Sequence, residues 1–205
     1  MQLNKVFFTI TFFLFLYCYD YQEEIILNPD FSGKVFLKYT IPVSKRNQKS
    51  YINFLPYLRE DFVEFFKIEP IEFSSKLEEG ENFDLGFIEA TIHFKSLQTL
   101  ENKLIGLQSI FQVGDTLVLK RKIKNITNLP LENKFYVYFY NLFLDFLKGK
   151  SLKFVIRIPK HYNITSNFGG LPYPGILVFQ YPLEKTLEPA PSLLWVVSIK
   201  SNPFP

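Results

Sequence analysis

One sulfur, two imidazoles and two groups of carboxylates are the side chains of this sequence that could do chemistry. Cys18 is the only cysteine, so no disulfide can close within the chain, and a lone thiol at the end of an apolar run suits covalent attachment of a lipid. His93 and His161 are the only histidines. They lie far apart in sequence, whereas hydrolytic zinc sites set His, Cys or carboxylate ligands at fixed spacing. Glu60, Asp61 and Glu64 span one helical turn, a geometry that either chelates a cation or faces water. Glu78, Glu79, Glu81 and Asp84 lack the alternating Asp/Asn spacing of a calcium loop. Residues 169–175 are glycine-rich but join two predicted strands, so they offer no helix N-terminus to phosphate. No nucleophile elbow, phosphate loop or dinucleotide fingerprint occurs. These residues assign no catalytic, metal-ligating or cofactor-binding side chain and no enzymatic activity. Cys18, as a lipidation site, is the one site residue they yield.

Cys18 takes its meaning from what precedes it. Residues 6–19 read VFFTITFFLFLYCY after the charged Lys5, and Asp20 ends the run. Fourteen residues are too few for a helix to cross a hydrocarbon core, which takes about 20, but they fit the apolar region of a signal peptide. A buried core helix is the competing reading, and the uniform hydrophobicity, with no polar face for water, argues against it. The small residues of ordinary signal cleavage are missing around FLYCYDYQE. Cys18 stands there instead, four residues after Leu14 and two after Leu16, with Tyr17 where a small residue is usual before a lipidated cysteine. The expected organisation is a signal peptide over 1–17, a lipidated tether over 18–21 and one domain over 22–205. Acyl chains of the palmitate kind on Cys18 would suffice for stable anchoring. Uncleaved or unusually cleaved export is the alternative, and a cytosolic chain a more distant one.

Composition narrows the partners. The formal net charge is +3, too small for charge alone to bind nucleic acid, which requires many phosphates to be neutralised together. The basic stretches are Lys45-Arg46-Lys49 and Lys120-Arg121-Lys122-Lys124. In the second, Lys120, Lys122 and Lys124 share a strand face opposite Leu117, Leu119 and Ile123, the pattern of a solvated face or of contact with anionic lipid. Phe and Tyr number 24 and 12, while Ala90 and Ala190 are the only alanines, as an AT-rich coding sequence would produce.

The elements that must position these residues read as an α+β fold: an antiparallel sheet of about eight strands with two packed helices. A hairpin joins 24–27 to KVFLKYTI through the turn cluster NPDFSG, and Pro42 is expected to end its second strand. Leu58, Phe62, Phe65 and Phe66 mark a helical face. Ile88, Ala90, Ile92 and Phe94 alternate with Glu89, Thr91, His93 and Lys95, the pattern of a half-buried strand. A second hairpin turns at Gly114-Asp115. Residues 132–148 have strand composition in 135–140 but helical spacing of Phe135, Phe139, Leu142, Phe143 and Phe146. Their length, with Gly149 at a C-cap position, favours a second helix. The segments SLKFVIRIP, ILVFQYPL and LLWVVSIK follow as strands.

FVIRIPKHYNITSNFGG, followed by ILVFQYPLEKTL, resembles the LppM-type domain of bacterial lipoproteins. The matching positions are Ile158-Pro159, Ser166-Asn167, and Phe179 with Tyr181 and Leu183. The opening hairpin, with Asp30, Ser32 and Gly33 in its turn, and Gly114-Asp115 are similar to the same family, and together the likeness spans most of 22–200. Phe179 stands where Trp is common, and no second apolar span follows in these residues. The resemblance implies a membrane-anchored α+β domain with a lipid-related or host-interaction role rather than a settled reaction. The expected protein is a lipoprotein of the bacterial cell envelope facing the periplasm or cell surface, attached to the membrane through its N-terminal lipid. It would act as a non-enzymatic binding or adaptor module toward a lipid or an envelope protein, without cofactor. A lipid- or amphiphile-binding domain is the alternative, and an envelope hydrolase a third reading.

Overall fold

Period-two alternation of apolar and polar side chains runs through most of the chain, and strands follow wherever it does. The computed structural model describes residues 21–50, 55–81, 83–123, 148–168, 170–182, 185 and 192–201. The apolar run with Cys18 and the second predicted helix, over 132–148, fall outside these residues apart from Lys148. Among the described residues eleven strands form two sheets. The first contains β1 (Tyr21–Leu27), β2 (Gly33–Val43), β3 (Glu72–Glu78), β4 (Asp84–Phe94), β7 (Ser151–Arg157), β9 (Leu171–Tyr173) and β10 (Ile176–Pro182), in the order β3-β4-β2-β1-β7-β10-β9. The second contains β5 (Leu107–Val113), β6 (Thr116–Ile123), β8 (Tyr162–Ser166) and β11 (Leu193–Ser201), in the order β5-β6-β11-β8. All pairings are antiparallel except β1 with β7, where Tyr21 lies opposite Leu152 in parallel register.

This corrects the α+β expectation. The fold is β-rich, and α1 (Arg59–Phe66) is the single α-helix among the described residues. Among the described residues, inward side chains of a second sheet share one core with those of the first. Leu117, Leu119, Ile123, Trp195, Val197 and Ile199 from the second sheet join Ile25, Leu37, Ile88, Phe154 and Leu177 from the first in one core. Two packed sheets can each keep a polar outer face, which suits the alternation better than one sheet does. β8 and β9 were not among the expected strands, and β9 lies inside the glycine- and proline-rich segment.

The β1–β2 hairpin has an inward row in which Val35, Leu37 and Tyr39 are all buried. β2 does not stop at Pro42 but continues to Val43. Beyond Tyr39, which lies opposite Tyr21, β2 stays paired with β4, where Pro42 lies opposite Leu85, and Val43 also bridges Ser50. α1 seats Phe62 and Phe66, one turn apart, in the core, each worth about 1.5–3 kcal/mol of burial. Phe65, expected on the same face, is 43% exposed. Lys67 closes the helix in the left-handed conformation, φ 54°, its N–H donating to the Val63 carbonyl.

Candidate functional site

The residues singled out for chemistry are dispersed. His93 lies exposed on β4 opposite Lys34, and His161 lies exposed in the β7–β8 turn with its ring 4.5 Å from that of Tyr162. Glu60 and Glu64 face solvent on α1. Among the described residues no group of three or more His, Cys, Asp and Glu side chains could hold a metal ion. Residues 170–175 form β9 and the turn into β10. Lys120 and Lys122 lie half-exposed on β6, and the Lys120 ammonium sits 4.9 Å from the ring centre of Phe111. No helix among the described residues is long and apolar enough to cross a membrane. Cys18 lies outside them.

The structure assembles instead a charged cluster between the sheets. Arg121 shares the inward row of β6 with Leu117, Leu119 and Ile123, and its side chain is 4% exposed. Its guanidinium engages both carboxylate oxygens of Glu23 on β1 and the Ile105 carbonyl. Tyr21 donates its hydroxyl to Glu23 Oε2 at 2.9 Å. The Phe154 ring lies under the guanidinium, 4.2 Å from centroid to Cζ, and leads on to Trp195 and Phe179, whose rings stack at 4.8 Å. Burial, followed by the neighbouring Glu23 carboxylate, pushes the Tyr21 phenol well above its ordinary value. The void beside the cluster measures about 10 Å³, no more than one water occupies. A substrate has no room there, so the cluster joins the sheets rather than performing a reaction. Its signal was legible: Arg121 and Glu23 both fall on apolar rows of their strands.

Two accessible features stand out among the described residues: a hollow of about 420 Å³ beside α1, lined by Lys49, Asp61, Glu64 and Phe65, and a groove of about 500 Å³ on the outer face of the larger sheet. Two cross-strand rows build the groove. Gln22, Lys38, Glu89 and Ser74 lie side by side on β1, β2, β4 and β3. In the next row Phe36, Thr91 and Glu72 are neighbours on β2, β4 and β3. Lys38 pairs with Glu89, and Thr91 donates its hydroxyl to Glu72 at 3.0 Å. Leu37, Phe73 and Ala90 complete the lining. Phe36 is the apolar exception on an outward row between Lys34 and Lys38, a small irregularity the sequence does show. The site offers an aromatic surface edged by amide, ammonium, carboxylate and hydroxyl groups, which is binding chemistry.

Fold and site together define a two-sheet β-sandwich with an external groove and a sealed ionic cluster. The LIC11874-like family model matches residues 13–203, and the chain belongs to that family. No curated protein and no solved structure matches it.

Proposed function

We propose that this protein is a non-enzymatic binding module of the bacterial cell envelope, held at a membrane through a lipid on Cys18, with the outer-sheet groove as its binding surface. The groove carries the reading. It is open and sets the Phe36 ring among polar side chains. The apolar run of 6–19 and the likeness of the 154–187 stretch to LppM-type domains support the envelope address. The preferred ligand is a segment of an envelope protein. Binding of a lipid within the core is the less favoured reading, because the void between the sheets is about 10 Å³, far below the few hundred a lipid chain requires.

Intact mass spectrometry of the membrane-extracted protein tests the anchor, with cleavage before Cys18 and acylation of that residue as the expected result. Unchanged membrane association of Cys18→Ala would sink the anchoring claim. A photoreactive amino acid in place of Phe36 tests the groove. It should cross-link one envelope protein, and capture of lipid alone would favour the amphiphile reading.

A further inference from the structure

We propose that the end of the larger sheet where β1 begins lies against an anionic membrane surface, making contact through the 44–49 loop and the lysines that lead into β7. This rests on the membrane attachment proposed above and adds an orientation to it. Three backbone steps separate residue 18 from Tyr21, so their Cα atoms are at most about 11 Å apart. A domain attached so closely has one end next to the bilayer.

The sheet topology decides what that end contains. β2 runs antiparallel to β1, passes Tyr39 opposite Tyr21, and continues four residues to Val43. Its following loop, with Lys45, Arg46 and Lys49 exposed, therefore projects past the start of β1. β7 runs parallel to β1, with Leu152 opposite Tyr21, so Lys148 and Lys150 lie at the same end on the other side. Both neighbours of β1, one antiparallel and one parallel, deliver a basic segment beside the point of attachment.

Of the carboxylates of this end, Asp84 sits 3.6 Å from the Lys45 ammonium, and Asp61 and Glu64 of α1 border the same hollow as Lys49. Glu78, Glu79 and Glu81 stand off to one side at the β3–β4 turn. In the order β3-β4-β2-β1, β3 is three strands from β1, about 14 Å away. Negative headgroups attract the segments flanking β1 and repel this acidic edge, so the domain leans with β1 and β7 toward the bilayer. Each Lys or Arg brought to an anionic surface strengthens association roughly five-fold. The groove includes Gln22, the second residue of β1, and so opens within about 15 Å of Cys18. It faces ligands at the level of the headgroups, while the 28–32 turn, at the far end of β1, points away.

Once Cys18 is acylated the chain has no other thiol, so Asn47→Cys and Asp30→Cys each give the full lipid-anchored protein a single labelling position. Fluorescent labels at the two positions are compared in vesicles of phosphatidylcholine alone or mixed with phosphatidylglycerol, with a quencher attached to the lipid headgroups. The label at 47 should be quenched several-fold more than the label at 30. That difference should grow with phosphatidylglycerol and collapse when Lys45, Arg46 and Lys49 are all replaced by Glu. Vesicle-bound protein with equal quenching at both positions overturns the orientation alone. Protein that does not float with vesicles overturns the attachment and the orientation with it.

Discussion

The Arg121 guanidinium grips both carboxylate oxygens of Glu23, 98 positions earlier in the chain, and so ties the smaller sheet to the larger. Both side chains are almost completely withdrawn from water. The pair repays its desolvation through added contacts: the Tyr21 hydroxyl, the Ile105 carbonyl and the Phe154 ring. Removing one partner leaves the other charge buried without compensation, which costs about 3–5 kcal/mol. Glu23→Gln should lose stability of that order in urea unfolding. Glu23→Leu combined with Arg121→Met should lose clearly less, because no isolated charge remains. A double variant as unstable as Glu23→Gln would contradict this account.

Alkaline stability follows from two buried phenols. Burial, then the Glu23 carboxylate, raises the pKa of Tyr21, and burial raises that of Tyr39, whose hydroxyl donates to the Pro56 carbonyl at 2.7 Å. Both stay protonated in the folded protein while the unfolded chain releases their protons near pH 10. The stabilisation is thus fully present below about pH 10 and is lost as pH rises toward the folded values, by up to about 1.4 kcal/mol per pH unit for each phenol. Urea midpoints measured across this range should fall steeply. Tyr39→Phe should roughly halve the slope, whatever it does to stability at neutral pH.

The strands themselves were legible because alternation is local: β4 can be read directly from Ile88 through Phe94. The partition into two sheets was not. It depends on the parallel pairing of Tyr21 with Leu152 and on Arg121 reaching Glu23, contacts across about a hundred residues that leave no local pattern. β8 and β9 were missed because Asn163, Thr165 and Pro172 carry turn composition, and pairing with β11 and β10 overrode it. Of the site, Phe36 was visible as an apolar residue on a polar row. Its neighbours Thr91 and Glu72 are brought to it only by sheet order.

Gly86 is a close-approach position on β4. A Cβ there would stand 2.7 Å from the Tyr57 ring and 2.8 Å from a Val43 methyl. Both neighbours are buried and cannot swing into solvent. Gly86→Ala should therefore cost about 1–3 kcal/mol, as overpacking of a filled core does. Val43→Ala in the same chain should recover part of the loss. Additive destabilisation by the two changes would show that the ring, and not the methyl, sets the limit.

Adjacent residues on β2 separate core from binding surface. Leu37 is 1% exposed within the core, whereas Phe36 points to the outer face and lines the groove. Leu37→Ala should cost about 2–5 kcal/mol. Phe36→Ala removes a larger side chain yet should cost less than Leu37→Ala, since among the described residues no second sheet packs on the outward row. Ligand capture at the groove should respond in the opposite order, abolished in Phe36→Ala and retained in Leu37→Ala at temperatures where that variant remains folded. Thermal unfolding and cross-linking from a photoreactive residue at Ser74 measure the two effects independently. A Phe36→Ala variant as unstable as Leu37→Ala would place this ring among the residues that hold the fold, and the binding surface would have to lie elsewhere on the sheet.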